Sequence, residues 1–71
     1  MAEEVRAELV ANIAKVVVAV GDHVEAGEMV ILLESMKMEI PVIAEESGTV
    51  SRVAVSVGDV VQEGDLIVSI S

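Results

Sequence analysis

A chain of 71 residues without cysteine reads as one small domain over residues 1–71, held together without disulfides or thiolate-bound metal. The apolar fraction is 54% with no aromatic residue, so Val, Ile, Leu, Met and Ala must build the core, a palette that favours β structure. Thirteen acidic residues against four basic ones give a formal charge of −9, which disfavours nucleic acid and anionic membrane surfaces as partners. No apolar run reaches the length of a membrane span. Met1-Ala2-Glu3-Glu4 also lacks the basic, then apolar, order of a signal peptide, so a cytoplasmic protein is expected; a monomer is the expected state, although neither observation bears on it.

Met1–Glu4 is expected to fray. Behind it, Val5, Leu9, Ile13 and Val16 recur at spacings of four, four and three, which fits an amphipathic helix as well as a strand. A strand near Ala7–Ala11 is preferred, because the C-terminal strand of a two-sheet fold needs an edge partner. Val16, Val18 and Val20 then alternate with Lys15, Val17 and Ala19, the period of a half-buried strand with its valines inward. Gly21-Asp22 supplies a turn, with the aspartate as a local side-chain cap, and Gly27 marks a second bend. The run Met29–Leu33 reads as a buried strand. Ile40–Ala44 and Gly48–Val55 suggest a further strand pair. Pro41, which has no backbone donor, should lie at a sheet edge or just inside a strand start. Val53, Val55 and Val57 alternate with Arg52, Ala54 and Ser56, turns follow at Gly58-Asp59 and Gly64, and Leu66–Ile70 reads as the last strand.

Residues 16–30 (VVVAVGDHVEAGEMV) align with residues 53–67 (VAVSVGDVVQEGDLI) at an offset of 37 positions, 53 minus 16, so the chain is an internal duplication in form. His23 stands where the second half has Val60, which points to a surface position rather than to catalysis or metal binding. Asp22, Glu25 and Glu28 match Asp59, Gln62 and Asp65, a pattern of turn capping and solvation.

The stretch from Leu33 to Ile40 interrupts this symmetry. Apolar strand residues lead into it and out of it, so Met36-Lys37 falls at the turn of a hairpin although neither residue is a preferred turn former. Such a violation at an exposed tip marks a candidate functional site. Lys37 is one of two lysines, bracketed by flexible, polarizable methionines suited to contact with several partners. Its amine is the plausible nucleophile of the chain once an outside enzyme removes its proton, since Glu34 and Glu39 would not help. Taken alone, the tripeptide reads as simply as a solvated lysine on a turn. No acid–base pair or nucleophile triad can be assembled that would make the chain an enzyme.

Glu34-Ser35-Met36-Lys37-Met38-Glu39, set midway between two Gly-Asp half-repeats, resembles the biotin-attachment motif of biotinyl domains such as biotin carboxyl carrier proteins. The likeness covers nearly the whole chain and extends to small stand-alone biotinylated proteins of the mycobacterial kind. It implies biotin joined as an amide to Lys37, with Met36 and Met38 as flanking recognition residues and Gly48 as the glycine that opens the second half. Ser35 stands where Ala is commoner. The implied fold is all-β: a flattened β-barrel, or barrel-sandwich hybrid, of two four-stranded antiparallel sheets with pseudo-twofold symmetry and no protruding thumb. The implied role is that of a carrier, loaded by biotin protein ligase, which takes a carboxyl group from biotin carboxylase to carboxyltransferase. Related lipoyl domains share the fold but usually place Asp before the lysine and lack the paired methionines. The motif thus favours biotin over a lipoyl carrier. An unmodified interaction module with a Met-rich tip is the reading from another class.

Overall fold

The computed structural model describes residues 3–71, and all of their regular structure is strand, as a Val- and Ile-rich palette without aromatics favours. The strands are β1 (Glu3–Arg6), β2 (Ala11–Val16), β3 (His23–Val24), β4 (Met29–Ser35), β5 (Met38–Ile43), β6 (Gly48–Val53), β7 (Val60–Val61) and β8 (Leu66–Ile70). They form two four-stranded antiparallel sheets, in the orders β1-β8-β6-β3 and β5-β4-β2-β7. The result is a flattened barrel-sandwich of 32 × 18 × 17 Å.

The duplication runs through the whole architecture. Adding the offset of 37 turns β2 into β6 (11 + 37 = 48) and β3 into β7 (23 + 37 = 60), and it carries β1 onto β5 and β4 onto β8. Each sheet therefore takes two strands from each half, and the operation exchanges the sheets. The core repeats in the same way: Ala7/Ala44, Ile13/Val50, Val24/Val61, Val30/Ile67, Ile31/Val68 and Leu33/Ile70 are all buried pairs. Val30-Ile31 and Ile67-Val68 are buried as adjacent residues, which strict alternation forbids. The first pair sits at a bulge in the β4–β5 ladder, between Met29 and Ile31. Each fully buried Ile or Leu contributes about 1.5–3 kcal/mol relative to exposure, so β4 and β8 at the centre of their sheets anchor the fold.

Tight turns close each half. The Asp22 N–H donates to the Ala19 carbonyl while the Ala19 N–H donates to the Asp22 carboxylate at 2.9 Å, and Asp59 and Ser56 repeat both bonds. Gly21 and Gly58 take φ of 96° and 95° in these turns, and Asp65 caps Gln62 in the same manner. The expected capping is thus realised. Gly48 serves differently, for a Cβ there would lie 2.5 Å from the Ser71 carbonyl oxygen and 2.7 Å from Ile70 Cγ2. Only a bare α-carbon lets β6 approach the end of β8.

Several expectations are corrected. Met1 and Ala2 lie outside the described residues, but Glu3 and Glu4 do not fray: they pair with Ile70 and Ser69. The strand expected at Ala7–Ala11 lies earlier, at Glu3–Arg6, while the chain between β1 and β2 crosses from one sheet to the other. The C-terminal strand has the edge partner the argument required. Val16, Val18, Val53 and Val55 pack on the core, but Val20 and Val57 are each 65% exposed because the chain leaves the sheet after Val16 and Val53 while the alternation continues. Finally, β5 and β6 are not a pair. Ala44 is fully buried and exchanges backbone bonds with Gly27 and Glu28, so the chain turns inward there and passes to the other sheet. Pro41 lies on the edge strand β5, as its missing donor demands.

Candidate functional site

The hairpin β4–β5 carries the site. Its ladder runs Leu33↔Ile40, Glu34↔Glu39, Ser35↔Met38, which leaves Met36-Lys37 as a two-residue loop. Both loop residues have positive φ, 53° and 66°, the signature of a type I′ turn whose twist matches that of the flanking strands. Asn and Gly normally fill such positions. A left-handed backbone costs an ordinary L-residue about 1–2 kcal/mol, so the tip is held in a strained form by the ladder behind it, which is regular from Ile31 to Ser35.

That geometry fixes what the tip presents. Met36 is 92% and Met38 63% exposed, and the Lys37 side chain is exposed between them. Among the described residues Lys37 has no ion pair and no hydrogen bond from its amine. Its amine is accessible to another protein. Behind the turn, Glu34 and Glu39 face each other, and Asn12 of β2 pairs with Glu34 on one side and with Val60 of β7 on the other. The Ser35 hydroxyl donates to the Val10 carbonyl at 3.3 Å, tying the hairpin to the crossing segment before β2.

The structure brings Met36, Lys37 and Met38 together as expected, and sets the other residues considered apart from them. His23 lies on the surface of β3, its Nε2 paired with the Glu25 carboxylate. A groove of about 480 Å³ runs between β1 and β5, lined by Val5, Leu9, Ile40, Val42 and acidic Glu3 and Glu45. Extending the 37-residue offset back from β5 would have located β1 and with it this groove. The Ser35–Val10 bond left no sequence signal, since it joins residues 25 apart through a backbone carbonyl.

The biotin/lipoyl family model described as "Biotin-requiring enzyme" matches residues 3–70. "Biotinylated protein TB7.3" of Mycobacterium bovis is 68% identical over 44 residues, a match that covers 62% of this chain and 62% of that protein. The matched segment is thus less than two thirds of the relative. Among solved structures, the urea carboxylase of Kluyveromyces lactis aligns with a TM-score of 0.92 and 45% identity, over 100% of this chain and 6% of the carboxylase. The lipoyl domain of the 2-oxoglutarate dehydrogenase complex from Azotobacter vinelandii aligns with a TM-score of 0.77 and 20% identity, over 94% of this chain and 95% of that domain, a likeness of fold.

Proposed function

The chain belongs to the biotin/lipoyl family of biotin-requiring proteins, and from that premise we propose that residues 1–71 act as one biotin-carrier domain whose attachment residue is Lys37. The observation that carries this reading is the exposed lysine, with φ of 66°, on a strained two-residue turn between exposed Met36 and Met38. The residues fit the group: among the described residues the amine is unpaired and nothing encloses it, and it projects from the tip of the hairpin. Biotin supplies a ureido ring able to hold and release a carboxyl group.

Loading requires an outside enzyme. A biotin protein ligase removes the Lys37 proton, and the Nζ lone pair attacks the acyl carbon of biotinyl-adenylate. The C–N amide bond forms, the acyl–oxygen bond to phosphate breaks, and AMP leaves with the electron pair. The side chain loses its positive charge, so an already acidic domain gains net negative charge. In service, the domain's own work is presentation. The barrel beneath the hairpin holds the arm's base in place, and tethering keeps the ring near a biotin carboxylase and a carboxyltransferase at an effective concentration on the order of millimolar. The domain is a substrate and carrier, acting in the cytoplasm, and not a catalyst.

The test is intact mass after incubation with biotin, ATP and an active biotin protein ligase. The expected outcome is a gain of one biotin amide, lost in Lys37→Arg. An unchanged mass, or a shift fitting lipoate in protein isolated from cells, would overturn the reading.

A further inference from the structure

The two halves share one backbone, so an exposed position where their chemistry differs reports a demand other than folding. Val20 and Val57 are equivalent residues with the same 65% exposure. Such matched, isolated apolar residues belong to the fold and need no further explanation. Val10 and Val60 are different: they are 62% and 63% exposed, yet their equivalents are Ser47 (10 + 37) and His23 (60 − 37). The same backbone thus accepts polar residues at both places, and valine is not there to pack the core.

Both valines lie at the Lys37 end of the molecule. Val10 receives the Ser35 hydroxyl on its carbonyl, two residues from Lys37. Val60 pairs with Asn12, which pairs with Glu34, so it stands two strands from the hairpin along one row, about 10 Å at ordinary strand spacing. With Met36 and Met38 they make four exposed apolar side chains at one end of the barrel. Ile43, exposed where the first half has Arg6, lies at the far end of β5 and lines the groove instead.

Resting on the attachment reading above, we infer that Val10 and Val60 extend the methionine tip into a docking face for the biotin ligase, and that they set how well it recognises this carrier. An enzyme that closes on Lys37 must pass over the hairpin flanks, where Val10 lies against Ser35 and Val60 stands two strands away in the row of Asn12 and Glu34. Their contribution is to association, so it should appear in KM rather than in kcat.

The experiment exchanges each valine for the residue its twin position already carries. Ligase kinetics are measured on the wild-type chain, V10S, V60H and the double variant, with S47V and H23V as controls at the twin positions. Melting temperatures within a few degrees of wild type confirm that each variant folds. The expected result is a rise in KM of about fivefold for each single variant, the loss of one partly buried valine contact, with kcat unchanged and both controls at wild-type values. Values within twofold of wild type for the double variant would overturn this inference and leave the attachment reading intact. A wild-type chain that gains no biotin would overturn both.

Discussion

Glu34 and Glu39 face each other directly across the β4–β5 ladder, two positions behind the turn that holds Lys37. Like charges in opposed positions destabilise a sheet by a few tenths to about 1 kcal/mol. Neither has an ion-pair partner among the described residues. Glu39→Gln should therefore stabilise the chain by about 0.5 kcal/mol, or about 2–4 °C in Tm for a domain of this size. Added salt should narrow the difference. Thermal melts at two ionic strengths check it, and an unchanged or lowered Tm would show that the pair is not repulsive.

The tip itself holds removable strain. Replacing Met36-Lys37 with Asn-Gly puts the preferred residues of a type I′ turn at φ values of 53° and 66°. The double variant should gain about 1–2 kcal/mol in urea denaturation with an unchanged m-value, while losing the lysine proposed for attachment. Stability and loading would then be shown to oppose each other at this turn.

Gly48 and Gly58 answer to different constraints, and alanine separates them. At Gly48 the added Cβ meets backbone, the Ser71 oxygen at 2.5 Å, and the two strands must move apart. At Gly58 there is open space, but φ is 95°. Gly48→Ala should cost about 1–3 kcal/mol by steric strain and shift the amide signals of Ser71 and Thr49, which bond each other. Gly58→Ala should cost about 1–2 kcal/mol without disturbing those amides.

Asp22 and Asp59 make the same bond in the two halves, each carboxylate accepting a backbone N–H at 2.9 Å. Alanine at either site should lower stability by about 1 kcal/mol. The two turns share no partner, so the double variant should lose the sum to within about 0.5 kcal/mol. A markedly larger loss would mean that the halves communicate through the core.

The second half of each repeat was legible because glycine, aspartate and alternating valine together constrain a chain. The hairpin was legible too, from apolar runs on both sides of a short polar break. Its turn type was not, since Met36 and Lys37 adopt φ values their side chains disfavour and only the flanking ladder imposes them. The first strand was misplaced because Glu3, Glu4 and Arg6 surround a single buried residue, Val5, too little for a period to show. Sequence neighbours also suggested that β5 and β6 pair. The buried Ala44 between them sends the chain to the other sheet, and a lone alanine carries no such message. Met36-Lys37 stands out in the sequence by its violation of turn preference, whereas nothing in the sequence alone sets Val10 and Val60 apart, since their exposure is a property of the fold.

Ile70 pairs with Glu3 as Leu33 pairs with Ile40, and 33 + 37 = 70 while 3 + 37 = 40. The β4–β5 hairpin and the pairing of β1 with β8 are thus the same place in the fold, seen twice. Topologically the described residues are two equivalent arcs that meet at two junctions, one of which carries the lysine. A hairpin patterned on Glu34–Glu39 and joining Ile70 to Glu3 would make the second junction a copy of the first. A chain circularly permuted in this way, and opened at the first junction, would display its lysine at the second.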